Sequence, residues 1–139
     1  MLKDFFDHAN WLAIFVATLV YFVVGALWYS PILFAKIWVS LLPSPPSEED
    51  KKRMPMLMVF TLIGNFAAVF AIAFFAWIMA CGTVVPALKL GLFVSLCFCA
   101  TVMGINMMYE KRPLKLMMIN IGYHVVGICA AAVIVALWK

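Results

Sequence analysis

Charge is what this chain has least of. Asp, Glu, Lys and Arg make up 12% of its 139 residues and apolar side chains 68%, where soluble domains carry roughly 25% and 45–50%. So little polar surface cannot wrap a water-soluble globule, and lipid is left as the solvent. No Asp or Glu falls inside the long apolar runs, so the carboxylate relay of a proton-coupled antiporter is missing. Cys81, Cys97, Cys99 and Cys129 form no C-x-x-C and suggest neither redox work nor a metal site; they read as small buried hydrophobes. Nucleophile–base pairs and phosphate-binding glycine loops are also lacking, so catalysis is the least supported class. The expectation is a non-enzymatic protein with no metal and no cofactor.

What is there is apolar sequence in four blocks of about the 20 residues that a bilayer-crossing helix needs, at 11–30, 57–80, 87–108 and 116–138. Lipid cannot satisfy backbone N–H and C=O groups, so each block must satisfy them internally as a helix. The fold class is all-α, a polytopic membrane protein with a single transmembrane domain over 1–139. The first block is longer than a signal-peptide core and runs into Trp28, Tyr29, Ser30 and Pro31 without a small-x-small cleavage site, so it reads as retained.

Basic residues orient the spans. Lys3, Lys89 and Lys139 fall on the side of the termini, and Lys36, Lys51, Lys52, Arg53, Lys111, Arg112 and Lys115 on the other, which together account for all 10 Lys and Arg. The positive-inside rule makes the richer side cytoplasmic and puts both termini outside. EKRPLK then becomes a short cytoplasmic turn, 31–56 the other cytoplasmic connection, and a bacterial inner membrane the expected home. The net charge of +4 reads as topology plus attraction to anionic headgroups. Nucleic acid is not an expected partner, because the basic residues flank spans and build no domain of their own.

Leu33, Phe34, Ile37, Trp38 and Leu41 form one apolar stripe at helical spacing, which predicts an amphipathic helix lying in the interface after a turn at Pro31. PSPP should end it within a 43–56 loop. Ser47 and Asp50 offer a capping box for a short charged helix, with Glu48/Lys52 and Glu49/Arg53 as i,i+4 pairs.

The spans also carry polar residues. Thr61, Asn65 and Ala68 make a stripe at i, i+4, i+7, and Asn120, His124 and Gly127 make the same stripe. Asn65 and His124 lie at matched depth, which predicts a hydrogen bond across a seam between the second and fourth spans. Gly91, Ser95 and Cys99 form a further small stripe, with Asn106 towards the basic side. Tyr29 and Tyr123 complete a candidate polar cluster of Asn65, His124, Asn120, Thr61, Asn106, Tyr29 and Tyr123, opening inward and closed outward. The bland reading of His124 is structural glue; the functional one is a ligand or proton site. Trp28, Trp38, Tyr109 and Trp138 read as interface anchors.

The segments NWLAIFVATLVYFVVGALWYSPILFAKIW and YEKRPLKLMMINIGYH resemble the two signature segments of a family of small bacterial four-span membrane proteins, the domain of unknown function 1761 family. WYSP-x-L-F and RPLKL…N-x-G-Y-H carry the likeness, which runs over most of the chain. Ala35 stands where the family would have glycine before the lysine. The resemblance implies architecture and a bacterial inner-membrane home, and no activity.

Three functions follow from these readings. In the first the polar cluster binds or moves a small molecule, ion or lipid in a homo-oligomer, since four short spans enclose little volume. In the second the chain is an accessory or assembly subunit among other membrane subunits. The third, haem-based electron transfer, needs two axial histidines, and His8 and His124 differ in depth by roughly 13 Å on the helical rise.

Overall fold

The computed structural model describes residues 1–138; Lys139, counted above with the terminal side, lies outside them. Among the described residues there is helix and no strand. The helices are α1 (Leu2–His8), α2 (Trp11–Trp28), α3 (Ala35–Ser40), α4 (Glu48–Ile78), α5 (Val84–Val94), α6 (Thr101–Tyr109) and α7 (Leu114–Leu137), with a π-helical stretch at Ser95–Ala100 joining α5 to α6. Four segments are long and apolar enough to cross a membrane: α2, α4, the continuous Val84–Tyr109 and α7.

The last span is the centre of the bundle, packed against α2, α4 and α5. Its inner face carries Gly127, Ala131, Ala132 and Ala136, all buried. Between helices in lipid, packing rather than water expulsion drives association, and small residues let backbones close. The expected small stripe on the third span does this against α7: a β-carbon on Gly91 would stand 2.9 Å from the Cys129 α-carbon, and Ser95 is buried.

The sequence reading did not anticipate α1. This short helix folds back over the end of the bundle and buries Phe5 edge-on against Phe70, Phe74 and Trp77, at centroid distances of 5.6, 5.2 and 5.8 Å. Offset and edge-on ring contacts of this kind hold beyond their buried area, so α1 is tied to the second span.

Three details of the 31–56 region differ from expectation. The charged helix and the second span are one helix of 31 residues, about 46 Å at 1.5 Å per residue. Pro55 lies inside it and removes one backbone bond, but its fixed φ is helical. The loop therefore shrinks to the residues between α3 and Glu48. The capping box forms: the Asp50 N–H donates to Ser47 Oγ at 3.2 Å and the Ser47 N–H donates to Asp50 Oδ2 at 2.8 Å. Glu48 pairs with Lys51 at 2.6 Å, three residues on, where Lys52 was expected, and Glu49 has no ion pair with Arg53 among the described residues. On an exposed helix face either spacing brings charges together, and neither is worth much.

The apolar stripe after Pro31 splits. Phe34 and Trp38 turn toward the bundle, meeting Trp28 and Tyr29 at centroid distances of 4.8 and 5.4 Å. Leu33 and Ile37 stay on the outer surface. Backbone bonds from Phe34 N–H to Trp28 O and from Ala35 N–H to Ser30 O, both 3.1 Å, set that turn.

Candidate functional site

The site is built where α2 and α7 run antiparallel. Each offers the other a tyrosine and a glycine one turn apart. Tyr21 of α2 lies over Gly127 of α7, where a β-carbon would stand 2.1 Å from the ring. Reciprocally, Tyr123 of α7 lies over Gly25 of α2, where a β-carbon would stand 2.9 Å away. One turn further, Trp28 lies over Gly122 with the same 2.9 Å separation, and its indole N–H donates to the Ile119 carbonyl at 2.9 Å. A residue expected as an interface anchor is thus held between helices.

These contacts aim the polar groups. Tyr21 Oη and His124 Nδ1 are 2.6 Å apart. Tyr29 Oη donates to Asn120 Oδ1 at 2.9 Å. Asn65 Nδ2 donates to Tyr123 Oη at 3.2 Å. The rings are in mutual contact: Tyr123 lies 5.3 Å from Tyr21, 5.7 Å from Tyr29 and 4.6 Å from His124 by centroids. The predicted Asn65–His124 bond is therefore not made. The two are at similar depth on adjacent helices, but each is met first by a tyrosine hydroxyl, and both partners come from the α2–α7 seam.

Beside this network lies a cavity of about 730 Å³, lined by Tyr29, Trp38, Thr61, Asn120, Tyr123 and His124 with Phe22 and methionines 54, 58 and 103. It occupies the half of the bundle that carries α3 and the start of α4. Among the described residues its lining holds no Asp, Glu, Lys or Arg. Asn65 sits behind Tyr123, buried and away from the lining. Thr61 is at the wall, with its hydroxyl donating to the Leu57 carbonyl at 2.8 Å. Asn106 is exposed on the outer surface, outside the cavity lining. It points away because Gly104, two residues earlier, is the α6 residue buried against Met117 of α7, and two steps along a helix lead to its opposite side. Of the remaining expected anchors, Tyr109 is 87% exposed, Trp38 joins the cavity wall, and Trp138 borders a second, smaller recess.

That recess, about 380 Å³, is at the opposite end beneath α1, with Phe5, His8, Asn10, Trp77, Cys81 and Trp138 in its wall. The terminal end is therefore not featureless, as the expected outward closure implied. No three His, Cys, Asp or Glu side chains come together anywhere among the described residues.

Tyr21 is the site residue that sequence reasoning missed. A signal was present: YFVVG at 21–25 and YHVVG at 123–127 repeat the same spacing in the first and last spans. Run antiparallel, the two pentapeptides are related by a local pseudo-twofold, and Phe22 and His124 occupy equivalent places on the cavity wall. The symmetry breaks at the hydroxyls. Tyr21 finds the His124 imidazole, while Tyr123, facing Phe22, turns to Asn65.

Four membrane-length helices, with an uncharged and mostly apolar cavity between them that has a few polar side chains in its wall, define a multi-pass membrane protein. Residues 12–136 match the family described as protein of unknown function (DUF1761), and the chain belongs to it. Comparison with curated proteins and with solved structures returns no match.

Proposed function

We propose that this is a non-enzymatic bacterial inner-membrane protein that binds or moves a small molecule, ion or lipid at the α2–α7 cavity. One observation carries the reading: an apolar bundle keeps Asn120, His124 and Tyr29 together on the wall of one open cavity. Polar groups at membrane depth are expensive, and those facing a cavity mark ligand paths more often than packing. A volume of about 730 Å³ is within the range of small-molecule sites. The cavity lies in the half of the bundle nearer the greater share of basic residues, the side that the positive-inside rule makes cytoplasmic. On this reading the lipid bilayer covers the outer apolar surface, α3 lies in the interface, and the chain works as a homo-oligomer.

The second reading, an accessory subunit of a larger complex, is favoured by Asn106, a polar side chain on the outer surface. Native mass spectrometry from mild detergent tests both. The first expects a homo-oligomer retaining a bound small molecule or lipid; Ala26 lines the cavity, so Ala26→Phe, which narrows it, should displace that molecule. Heterologous subunits in fixed stoichiometry and no bound molecule would establish the second.

A further inference from the structure

The cavity wall has spent its hydroxyl hydrogens internally. Tyr29 gives its hydrogen to Asn120 Oδ1, Thr61 gives its own to the Leu57 carbonyl, and Tyr123 can give its own to Asn65 Oδ1 at 3.4 Å. Tyr21 is 2% exposed, and His124 Nδ1, at 2.6 Å, is the hydrogen-bond partner of its hydroxyl among the described residues. A buried phenol hydrogen without an acceptor is costly. Tyr21 therefore donates, Nδ1 accepts, and the proton of the neutral ring is on Nε2; the tautomer follows from the network.

What remains unspent on the wall is N–H. His124 Nε2–H, the Asn120 amide and the Trp38 indole have no acceptor among the described residues, and all three side chains line the cavity. An amide or indole N–H has no use except donation, whereas an oxygen that already makes one bond tolerates an idle lone pair. Asn120 and His124 are four apart on α7, so they share a face with β-carbons about 6 Å apart. Around them are the flat rings of Phe22, Tyr29, Trp38 and Tyr123 and the pliable methionines, surfaces that suit a planar apolar body. An anion would be buried there without a counter-charge, which is strongly unfavourable.

Resting on the reading of the cavity as a binding site, we propose that its ligand is a neutral, lipid-soluble carbonyl compound with a flat ring, the chemistry of a quinone. Its oxygen accepts from His124 Nε2–H and the Asn120 amide, and its ring lies among the aromatic side chains. Tyr21 is a positioning residue that acts by holding the imidazole in the donating tautomer.

The test uses the full chain in detergent and reads binding as quenching of tryptophan emission, with empty micelles as the blank. The probes are decyl-benzoquinone, read directly as the quencher, and its hydroquinone and decanoate, read by the recovery of emission as they displace it. The quinone should bind most tightly, the hydroquinone more weakly because its hydroxyls meet the donors with hydrogens of their own, and decanoate least. Asn120→Leu and His124→Phe should each weaken quinone binding about tenfold, one hydrogen bond's worth, with thermal unfolding confirming that each variant is folded. Tyr21→Phe should weaken it less. Should His124→Phe fail to fold, Asn120→Leu decides. Equal binding of quinone and hydroquinone, tighter binding of decanoate, or unchanged affinity in Asn120→Leu overturns the quinone assignment while leaving a binding cavity. If no probe binds and Ala26→Phe displaces nothing in the native spectrum, the cavity reading itself fails.

Discussion

The Tyr21 ring covers Gly127 so closely that a β-carbon at 127 would stand 2.1 Å from it. That approach is what lets its hydroxyl reach His124, one turn back along α7, at 2.6 Å. Gly127→Ala should force the ring off the seam and lower thermal stability in detergent by about 1–3 kcal/mol, the range for overpacking. Tyr21→Phe keeps the ring and loses only the hydroxyl, which should cost about 0.6 and at most about 2 kcal/mol. A Gly127→Ala variant as stable as wild type would mean that α2 and α7 do not meet this way.

The Asn65–Tyr123 contact predicts a coupling that depth alone misassigns. In double-mutant cycles on thermal stability, Asn65→Leu with Tyr123→Phe should be non-additive, since either change alone strands the other's polar group. Asn65→Leu with His124→Leu should come closer to additive, because Tyr123 stands between them. Stronger coupling in the second pair than in the first would reverse the partner assignment.

The capping box makes the start of α4 sensitive to acid. Asp50 lies ahead of the apolar stretch, and its carboxyl is held below the ordinary carboxylate range by the Ser47 backbone N–H, then by the Ser47 hydroxyl. A depressed value in the folded state means the stabilisation is complete at neutral pH and is lost as pH falls through that lowered value. Amide exchange at residues 51–53, corrected for intrinsic rates, should therefore rise at low pH. Asp50→Asn should show elevated exchange already at neutral pH and little further change on acidification.

Threading is open to direct measurement. In a background without the native cysteines, single cysteines at the exposed positions 2–4 and 7 should label from outside intact cells, and those at 48–52 and 111–112 only after permeabilisation. Labelling of 111–112 in intact cells would invert the proposed orientation and place the larger cavity on the outer side.

Polarity at membrane depth was legible in sequence, and so were the members of the cavity wall that come from α7. Tyr123 and His124 lie three and four residues after Asn120 in an otherwise apolar run, and that spacing puts them on one face whatever the neighbours do. Which helix receives that face was not legible. The stripe on α4 suggested itself as the partner, yet Thr61 bonds the Leu57 carbonyl of its own helix and Asn65 reaches Tyr123. The YFVVG and YHVVG repeat held the missing information, but only as spacing, and spacing does not say that the two segments face each other.

Composition and local spacing were enough for the solvent, the number and approximate limits of the spans, and the cap at Ser47. Each of these is a sum or a spacing over neighbouring residues: hydropathy accumulates along about 20 positions, and a capping box closes within four. That α7 is central, that α3 turns Trp38 inward, and that tyrosines stand between the buried polar groups came from the packing of helices against one another. Rotation of a helix about its own axis leaves its composition and depth unchanged but redirects every side chain. In lipid that rotation is chosen by close packing, here the fit of Tyr21 over Gly127 and Tyr123 over Gly25, between residues about a hundred positions apart in the chain.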